Sequence, residues 1–207
     1  MTRITARIKT ASHWNRLSIA GLVVLFIGLT ACDHQHQWQL RDISGIMPDL
    51  VFNLTDSTGH KVNADSYRGK IVMLYFGYTH CPDVCPITLA KAGQALKGLG
   101  KDADKVRFLF VSVDPQRDTP ELLMTYMKAF GPEFIGLRGD ETALRALSKR
   151  YRVTYSHGKP DVHGDYEVTH SSAVFVFDGK GKVRLMERSK DRAPAITHDL
   201  KQLVSEV

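Results

Sequence analysis

Two cysteines, Cys81 and Cys85, are separated by three residues in the segment 76–86. This segment overlaps the end of a continuous apolar run at residues 71–76 and the start of a helical pattern at residues 86–99. Both thiols are therefore predicted in a loop between a buried strand and a helix, where the helix dipole favours the thiolate form of the second cysteine. Thiolates in such a loop attack disulfides or bind soft metal ions.

Three kinds of chemistry remain open for this pair of cysteines. A structural disulfide would close a loop of only five residues and would remove little conformational entropy from the unfolded chain. A thiol oxidoreductase usually has two residues between its cysteines, so the three residues here weaken that interpretation without excluding it. The third chemistry is a soft metal ion bound by the thiolates.

The pattern along the rest of the chain predicts the elements that hold these cysteines. Strand-length apolar runs alternate with segments of helical periodicity. The strands are predicted at residues 71–76, 106–113, 134–137, 174–177 and 183–186, and the helices at residues 86–99, 119–130, 141–151 and 194–207. Alternating apolar residues and a turn at residues 50–62 predict a preceding β-hairpin. This order predicts a thioredoxin-like α/β sandwich, in which helices flank a central mixed sheet that begins with an N-terminal β-hairpin.

The composition is that of one globular domain. The chain has 207 residues, of which 43% are hydrophobic and 24% charged, so a disordered or low-complexity chain is excluded. Much of the net charge of +6 lies at the N-terminus, since four basic residues precede the first acidic one, Asp33. No basic stripe with interleaved aromatic residues follows, and the sequence therefore predicts no nucleic-acid partner.

The N-terminus has the pattern of a lipoprotein-type signal peptide. A cationic stretch precedes eleven apolar residues, which are too few for a stable membrane span. Leu29–Cys32 resembles the bacterial lipobox, in which the cysteine is lipidated; an uncleaved N-terminal anchor is the alternative. Both place the rest of the chain at the periplasmic face of the bacterial inner membrane. The predicted signal peptide, tether and folded domain are residues 1–31, 32–46 and 47–207.

Three motifs resemble those of the SCO/SenC copper-binding proteins, which serve cytochrome c oxidase assembly. The motifs are FGYTHCPDVCP at residues 76–86, SVDPQRDTP at residues 112–120 and VTHSS at residues 168–172. The resemblance covers the chain from about Pro48 to the C-terminus. It implies a thioredoxin-like fold in which two cysteines and a distant histidine bind copper, here Cys81, Cys85 and His170.

The implied ligands suit copper. Two thiolates and an imidazole suit Cu(I), and with an added oxygen ligand they suit Cu(II); zinc could also bind, so the choice of copper depends on the resemblance. His170 is predicted on a loop just before the buried strand at residues 174–177. The family commonly has an aspartate before this histidine, where the chain has Thr169, so one candidate partner of the imidazole is missing.

Three charged residues follow the second predicted buried strand, at the same edge of the sheet as the thiol loop. They are Asp114, Arg117 and Asp118. Two of the residues here are explained by the helix that follows. Thr119 is predicted to cap its N-terminus, and Asp118 is predicted to stabilise its start through the helix dipole. Asp114 and Arg117 are interpreted as an ion pair at the rim of the metal site or as part of a docking patch.

The resemblance implies a membrane-anchored metallochaperone that passes copper to the copper-binding subunit of cytochrome c oxidase. A periplasmic copper donor is a further expected partner. The alternative is an enzyme, a thiol-disulfide reductase that uses Cys81 and Cys85 to keep the copper-ligand cysteines of the oxidase reduced. A peroxiredoxin-like peroxidase is a third interpretation, because it needs a threonine and an arginine near one cysteine, and Thr79 and Arg117 are available.

Overall fold

The computed structural model of the chain describes residues 37–207. The strands are β1 (Arg41–Asp42), β2 (Asn53–Asp56), β3 (Lys61–Asn63), β4 (Ile71–Gly77), β5 (Val106–Ser112), β6 (Phe134–Arg138), β7 (Tyr155–His157), β8 (Val168–His170), β9 (Val174–Phe177) and β10 (Val183–Glu187). The α-helices are α1 (Val84–Lys97), α2 (Pro120–Lys128), α3 (Glu141–Arg150) and α4 (Ala193–Val204), and short 3-10 helices lie at Ala64–Tyr67 and Gly100–Lys105.

Eight of these strands form a mixed sheet in the order β1-β10-β9-β4-β5-β6-β2-β3. Its centre is parallel, since β5 pairs in parallel with both β4 and β6, and the remaining pairs are antiparallel. All seven residues of β4 are buried, which accounts for its continuous apolar sequence. The predicted mixed sheet and its N-terminal hairpin, formed by β2 and β3, are confirmed.

Helices cover both faces of this sheet. On one face, the thiol of Cys85 in α1 contacts Tyr75 of β4, and Leu123 of α2 lies against Gly136 of β6. α4 packs beside α1 on this face. On the other face, Tyr151 at the end of α3 contacts three aromatic rings of β4 and β9, those of Phe76, Phe175 and Phe177. The predicted thioredoxin-like sandwich is therefore confirmed.

The predicted tether is wrong for its C-terminal part. Residues 41–42 form β1, which pairs with β10, and the side chains of Leu40 and Ile43 are buried. Asp199 of α4 accepts hydrogen bonds from the backbone N–H groups of Gln39 and Leu40, at 3.0 and 2.7 Å. The folded domain thus begins before the predicted boundary. A two-residue edge strand is too short to produce a periodic pattern, and its anchor in α4 is 160 positions away from Gln39.

The predicted signal peptide and its lipidation site, Cys32, lie outside the described residues. Within residues 37–207, no helix is both long enough and apolar enough to cross a membrane. The anchor therefore stays a prediction from the sequence of residues 1–36.

Two strands that the sequence analysis did not identify form a separate ribbon. β7 and β8 pair antiparallel, with Tyr155 opposite His170, and they are not part of the eight-stranded sheet. His170 is therefore the last residue of a strand, whereas a loop position was predicted. Each strand has three residues, which is too few for apolar alternation to reveal it.

A buried ion pair ties α1 to the end of β10. Lys91 Nζ lies 2.8 Å from Glu187 Oε1 and also donates to the backbone carbonyls of Arg188 and Ser189, each at 3.3 Å. Glu187 is 1% exposed, and this burial raises the pKa of its carboxyl group to about 7. Because α1 carries Cys85, the contact helps to fix the helix that positions a thiol.

Glu187 is expected to make the stability of the fold depend on pH. The folded protein retains the carboxyl proton up to about pH 7, whereas the unfolded chain releases it near pH 4.5. The stability that the protonated carboxyl contributes is therefore fully present below about pH 4.5 and is lost as the pH rises through about 7. Thermal unfolding across this window should show a changing difference between wild type and Glu187→Gln. A constant difference would contradict the raised pKa.

Candidate metal centre

Cys85 lies in the first turn of α1, beside the end of β4. Its side chain is fully buried, and the Tyr75 hydroxyl donates to its Sγ at 3.5 Å. Gly77, the last residue of β4, leaves room for the sulfur, because a Cβ there would lie 2.8 Å from Cys85 Sγ and 2.8 Å from the ring of Phe110. The glycine of the first motif therefore has a steric role beside the thiol.

Cys81 precedes α1 and is the less buried of the two thiols, with 9% of the residue exposed. Its backbone N–H donates to the carbonyl of Tyr78 at 3.3 Å, which closes a turn at the end of β4. Both cysteines are free thiols. Of the two sulfurs, the one on Cys81 is therefore the more accessible to a reactant from solution.

β8 brings His170 to these two thiols. Its Nε2 lies 3.3 Å from Cys85 Sγ, and the donor atoms of Cys81, Cys85 and His170 all lie within 4.8 Å of one another. The rings of Tyr75 and Tyr78 contact the imidazole edge-on, at centroid distances of 5.9 and 5.8 Å. Within residues 37–207, no other group of three histidine, cysteine or acidic side chains is close enough to hold a metal ion together.

A backbone carbonyl orients the imidazole of His170. The Nδ1 atom lies 3.1 Å from the carbonyl oxygen of Ser171, so Nδ1 carries the proton and donates, and the lone pair of Nε2 faces Cys85. Burial lowers the pKa of His170 below its usual value, which favours the neutral ring. A neutral imidazole with a free nitrogen beside two thiols is in the form that binds a metal ion.

The absence of an aspartate before His170 does not leave the ring unsupported. Thr169 is exposed, and its hydroxyl forms a hydrogen bond with the Ser156 hydroxyl of β7 at 2.7 Å. The carbonyl of Ser171 supplies the acceptor at Nδ1 instead. A backbone carbonyl therefore supports the imidazole of His170 without an acidic side chain at position 169.

Burial reverses the predicted effect of the helix dipole on Cys85. Loss of solvation raises the pKa of this thiol to about 12, so the metal-free protein holds it protonated at neutral pH. The prediction of a stabilised thiolate is therefore wrong for the metal-free protein. Cys85 lies in the first turn of α1 but has no exposed surface, and desolvation is the largest cause of its raised pKa.

Asp118 is fully buried and supports the thiol loop. Its carboxylate accepts hydrogen bonds from the backbone of Thr79 at 3.2 Å, from the Thr79 hydroxyl at 2.6 Å and from the Ser112 hydroxyl at 2.5 Å. Thr119 caps α2, as predicted, through its hydroxyl oxygen. The carboxylate of Asp118 thus stabilises the segment just before Cys81, in addition to lying near the start of α2.

Asp114 and Arg117 form the predicted ion pair. Arg117 Nε lies 2.6 Å from Asp114 Oδ2, and the Tyr166 hydroxyl donates to Asp114 Oδ1 at 2.7 Å. The guanidinium of Arg117 also lies 3.7 Å from the centre of the Tyr166 ring. Asp114 and Asp118 have no exposed surface, whereas the Arg117 side chain is 18% exposed, so of these three residues only Arg117 is open to contact by a partner. Sequence analysis missed Tyr166, which is 52 positions from its partner Asp114 and belongs to none of the three motifs.

A family model described as SCO1/SenC matches residues 48–205. The chain belongs to the SCO1/SenC family. It is 38% identical over 136 residues to an SCO2-like protein of Rickettsia conorii and 37% identical over 133 residues to the mitochondrial SCO1 homolog of Homo sapiens. Each match covers 63% of this chain, with 64% of the Rickettsia protein and 44% of the human one. The chain thus spans less than two thirds of the length of these relatives.

Solved structures of SCO1/SenC proteins have the same fold. ScoI of Bradyrhizobium japonicum with copper bound is 38% identical, with a TM-score of 0.69, 75% of this chain covered and 98% of that one. Yeast Sco1 with copper bound is 30% identical, with a TM-score of 0.70, 77% of this chain covered and 91% of that one. A SCO1/SenC family lipoprotein of Bacillus anthracis is 26% identical, with a TM-score of 0.63, 75% of this chain covered and 94% of that one.

The three SCO1/SenC motifs, which are far apart in the sequence, meet at one place in the fold. The first supplies both thiols, and the third supplies His170. The second lies between them: Asp118 contacts the thiol loop, and Asp114 contacts Tyr166 near the third motif. The family motifs thus mark one continuous site.

Proposed function

We propose that this chain binds one copper ion through Cys81, Cys85 and His170 and delivers it to the copper-binding subunit of cytochrome c oxidase during assembly. The observation that carries the proposal is the convergence of these three donor atoms within 4.8 Å. Membership of the SCO1/SenC family supports the choice of metal, because two solved relatives hold copper. In this function the ion is cargo, so binding and release replace substrate turnover.

The donor set fits a copper ion in both oxidation states. Two sulfurs and an imidazole nitrogen are soft and borderline ligands that suit Cu(I), and a further oxygen ligand would complete a site for Cu(II). The surroundings of Cys85 also suit a metal thiolate, because the sulfur is shielded from water and a bound cation would stabilise its anionic form. The aromatic rings of Tyr75 and Tyr78 hold the imidazole in place without competing as ligands.

Each protein ligand has a distinct part in uptake and transfer. His170 is already neutral with Nε2 free, so it binds without losing a proton. Cys85 must release its proton when it binds, which makes copper loading a proton-releasing reaction. Cys81 is the more accessible sulfur, and ligand exchange with donor or acceptor thiols would therefore take place on its side.

We place this function at the periplasmic face of the inner membrane, with the chain anchored through lipidated Cys32. The support comes from the lipobox-like sequence at residues 29–32 and from a solved relative described as a lipoprotein. A periplasmic copper donor and the oxidase subunit would then reach the same site from solution and from the membrane. Metabolic labelling with a radioactive or clickable fatty acid should mark the wild-type chain and leave Cys32→Ser unlabelled.

Thiol-disulfide reduction is the second candidate function, because Cys81 and Cys85 are both free and close together. In this reaction a thiolate attacks a target disulfide, and the second cysteine displaces the target sulfur. The target cysteines become reduced, and Cys81 and Cys85 become joined as a disulfide. The peroxidase interpretation has less support, since the Thr79 hydroxyl is bonded to Asp118 and Arg117 to Asp114.

Copper loading of the reduced full chain tests the proposal. We expect a single copper ion for each chain and, with Cu(II), a sulfur-to-copper charge-transfer absorption. The Cys81→Ser, Cys85→Ser double variant should lose this absorption, and Cys32→Ser should retain it, because the proposed ligand set does not include Cys32. Absorption that persists in the double variant, or a site that takes zinc and excludes copper, would overturn the assignment.

A further inference from the structure

The ribbon of β7 and β8 is joined to the rest of the fold differently from other strands. It has no backbone pairing with the eight-stranded sheet, yet its last residue is His170. The position of Nε2 relative to Cys85 therefore depends on how the ribbon is attached. Several contacts hold it, among them the buried side chain of Val168, the hydrogen bond of Tyr78 to the backbone of Val168, the contact of His157 Nε2 with the carbonyl oxygen of Val113 at 3.0 Å, and the side chain of Tyr166.

The Tyr166 contact is the most strongly bonded of these attachments. The hydroxyl donates at 2.7 Å to the carboxylate of Asp114, which is fully buried, and the guanidinium of Arg117 covers the ring at 3.7 Å. Arg117 also pairs with the same carboxylate at 2.6 Å. A hydrogen bond to a buried charged acceptor is stronger than one between neutral groups. Tyr166 lies four positions before His170 in the chain.

The segment that receives Tyr166 also holds the thiol loop. The Asp114 N–H donates to the Ser112 hydroxyl oxygen at 3.1 Å, and this hydroxyl donates to Asp118 at 2.5 Å. Asp118 in turn accepts from the Thr79 hydroxyl at 2.6 Å, two residues before Cys81. One chain of hydrogen bonds thus runs from the ribbon with the imidazole to the loop with the thiols. The ribbon that carries His170 and the loop that carries the two cysteines are therefore both attached to the segment that contains the buried carboxylates of Asp114 and Asp118.

We infer that Tyr166 is a positioning residue for the metal site, and that its hydrogen bond to Asp114 holds the ribbon so that His170 faces Cys85. This inference rests on the proposed function for its effect on copper, but the attachment itself is a property of the metal-free chain. Without the hydroxyl, the ribbon leaves its docked position more often, and the apparent affinity falls with the fraction of chains that keep His170 in place.

Tyr166→Phe tests the inference with the smallest change, since it removes the hydroxyl and keeps the ring beneath Arg117. Tyr155→Phe is the matched control: Tyr155 lies in β7 of the same ribbon, and its hydroxyl has no hydrogen-bond partner among the residues that the structure describes. In the metal-free full chain, we expect Tyr166→Phe to speed amide hydrogen exchange in β7 and β8 about tenfold and Tyr155→Phe to leave it unchanged. Equal exchange in wild type and Tyr166→Phe would overturn the inference.

A double-mutant cycle with His170→Ala separates positioning from general stability. We expect Tyr166→Phe to lower Cu(I) affinity in the wild-type background, by at most about tenfold, and to have no effect when His170 is absent. An equal loss in both backgrounds would assign Tyr166 a purely structural role and overturn the inference. If His170→Ala itself leaves copper affinity unchanged, the proposed function fails, whereas the exchange measurement on the metal-free chain still decides whether Tyr166 holds the ribbon.

Discussion

Replacing His170 by alanine is expected to lower the copper affinity of the chain at least about a hundredfold, since loss of an outer partner of a ligand already costs 10–100-fold. The substitution removes the nitrogen that lies 3.3 Å from Cys85 Sγ and leaves both thiols in place. Competition with a chromophoric Cu(I) chelator measures the change. His163→Ala is the matched control, because His163 is exposed in the loop between β7 and β8. Equal loss in both variants would mean that His170 is not a ligand.

The same substitution separates copper delivery from thiol reduction. If delivery is the function, His170→Ala abolishes oxidase maturation in cells while the purified chain still reduces a model disulfide. If reduction is the function, maturation survives His170→Ala and fails in Cys81→Ser or Cys85→Ser. The two thiols serve both reactions, and the imidazole serves only the first, so His170 is the residue that discriminates.

Replacing Gly77 by alanine is expected to destabilise the fold by about 1–3 kcal/mol, the usual range for overpacking a tight core. The added Cβ would lie 2.8 Å from Cys85 Sγ and 2.8 Å from the Phe110 ring, and both neighbours are completely buried. For a chain of this size, each kcal/mol lowers the melting temperature by roughly 2–4 °C. Thermal unfolding of the metal-free protein should therefore show a loss of several degrees.

Gly93→Ala provides a matched control for that prediction. Gly93 lies in α1 like Cys85, but the nearest atom to its added Cβ, outside its own helix, is the Phe130 carbonyl oxygen at 3.4 Å, a far looser contact. Alanine is also favoured over glycine in a helix interior, by up to about 1 kcal/mol. The control should unfold at or above the wild-type temperature. Similar melting temperatures for the two variants would show that Gly77 is not closely packed against the thiol.

Gly77→Ala should also reach the metal site through Cys85. The sulfur must move to relieve the contact, and its movement changes its distance from His170 Nε2. We therefore expect a lower copper affinity as well as a lower melting temperature. The paired measurements distinguish this steric effect from His170→Ala, which removes a ligand without adding volume near β4.

Much of the fold could be predicted because the central strands are buried on both faces. β4 and β9 are continuous apolar runs for that reason, β5 is one apart from Arg107 and Ser112, and the helices on either side have one apolar face each. The predicted helix at residues 141–151 agrees closely with α3, where Asp140 caps the start through its side chain. The short strands β1, β7 and β8 were missed, because a strand of two or three residues is too short to show an apolar run or an apolar alternation.

The sequence by itself determined the alternation of strands and helices and, through the resemblance of its three motifs to the SCO/SenC family, the expected ligands: two sulfurs from the first motif and an imidazole from the third. Local patterns suffice for this, because each depends on neighbouring residues. Tertiary structure alone decided that Cys85 is a protonated thiol and that the carboxylates of Asp114 and Asp118 are buried. It also decided that Tyr166 attaches the ribbon of β7 and β8, which carries His170, to Asp114. Burial and long-range hydrogen bonds set these properties, and both arise when residues distant in the chain meet in the folded protein.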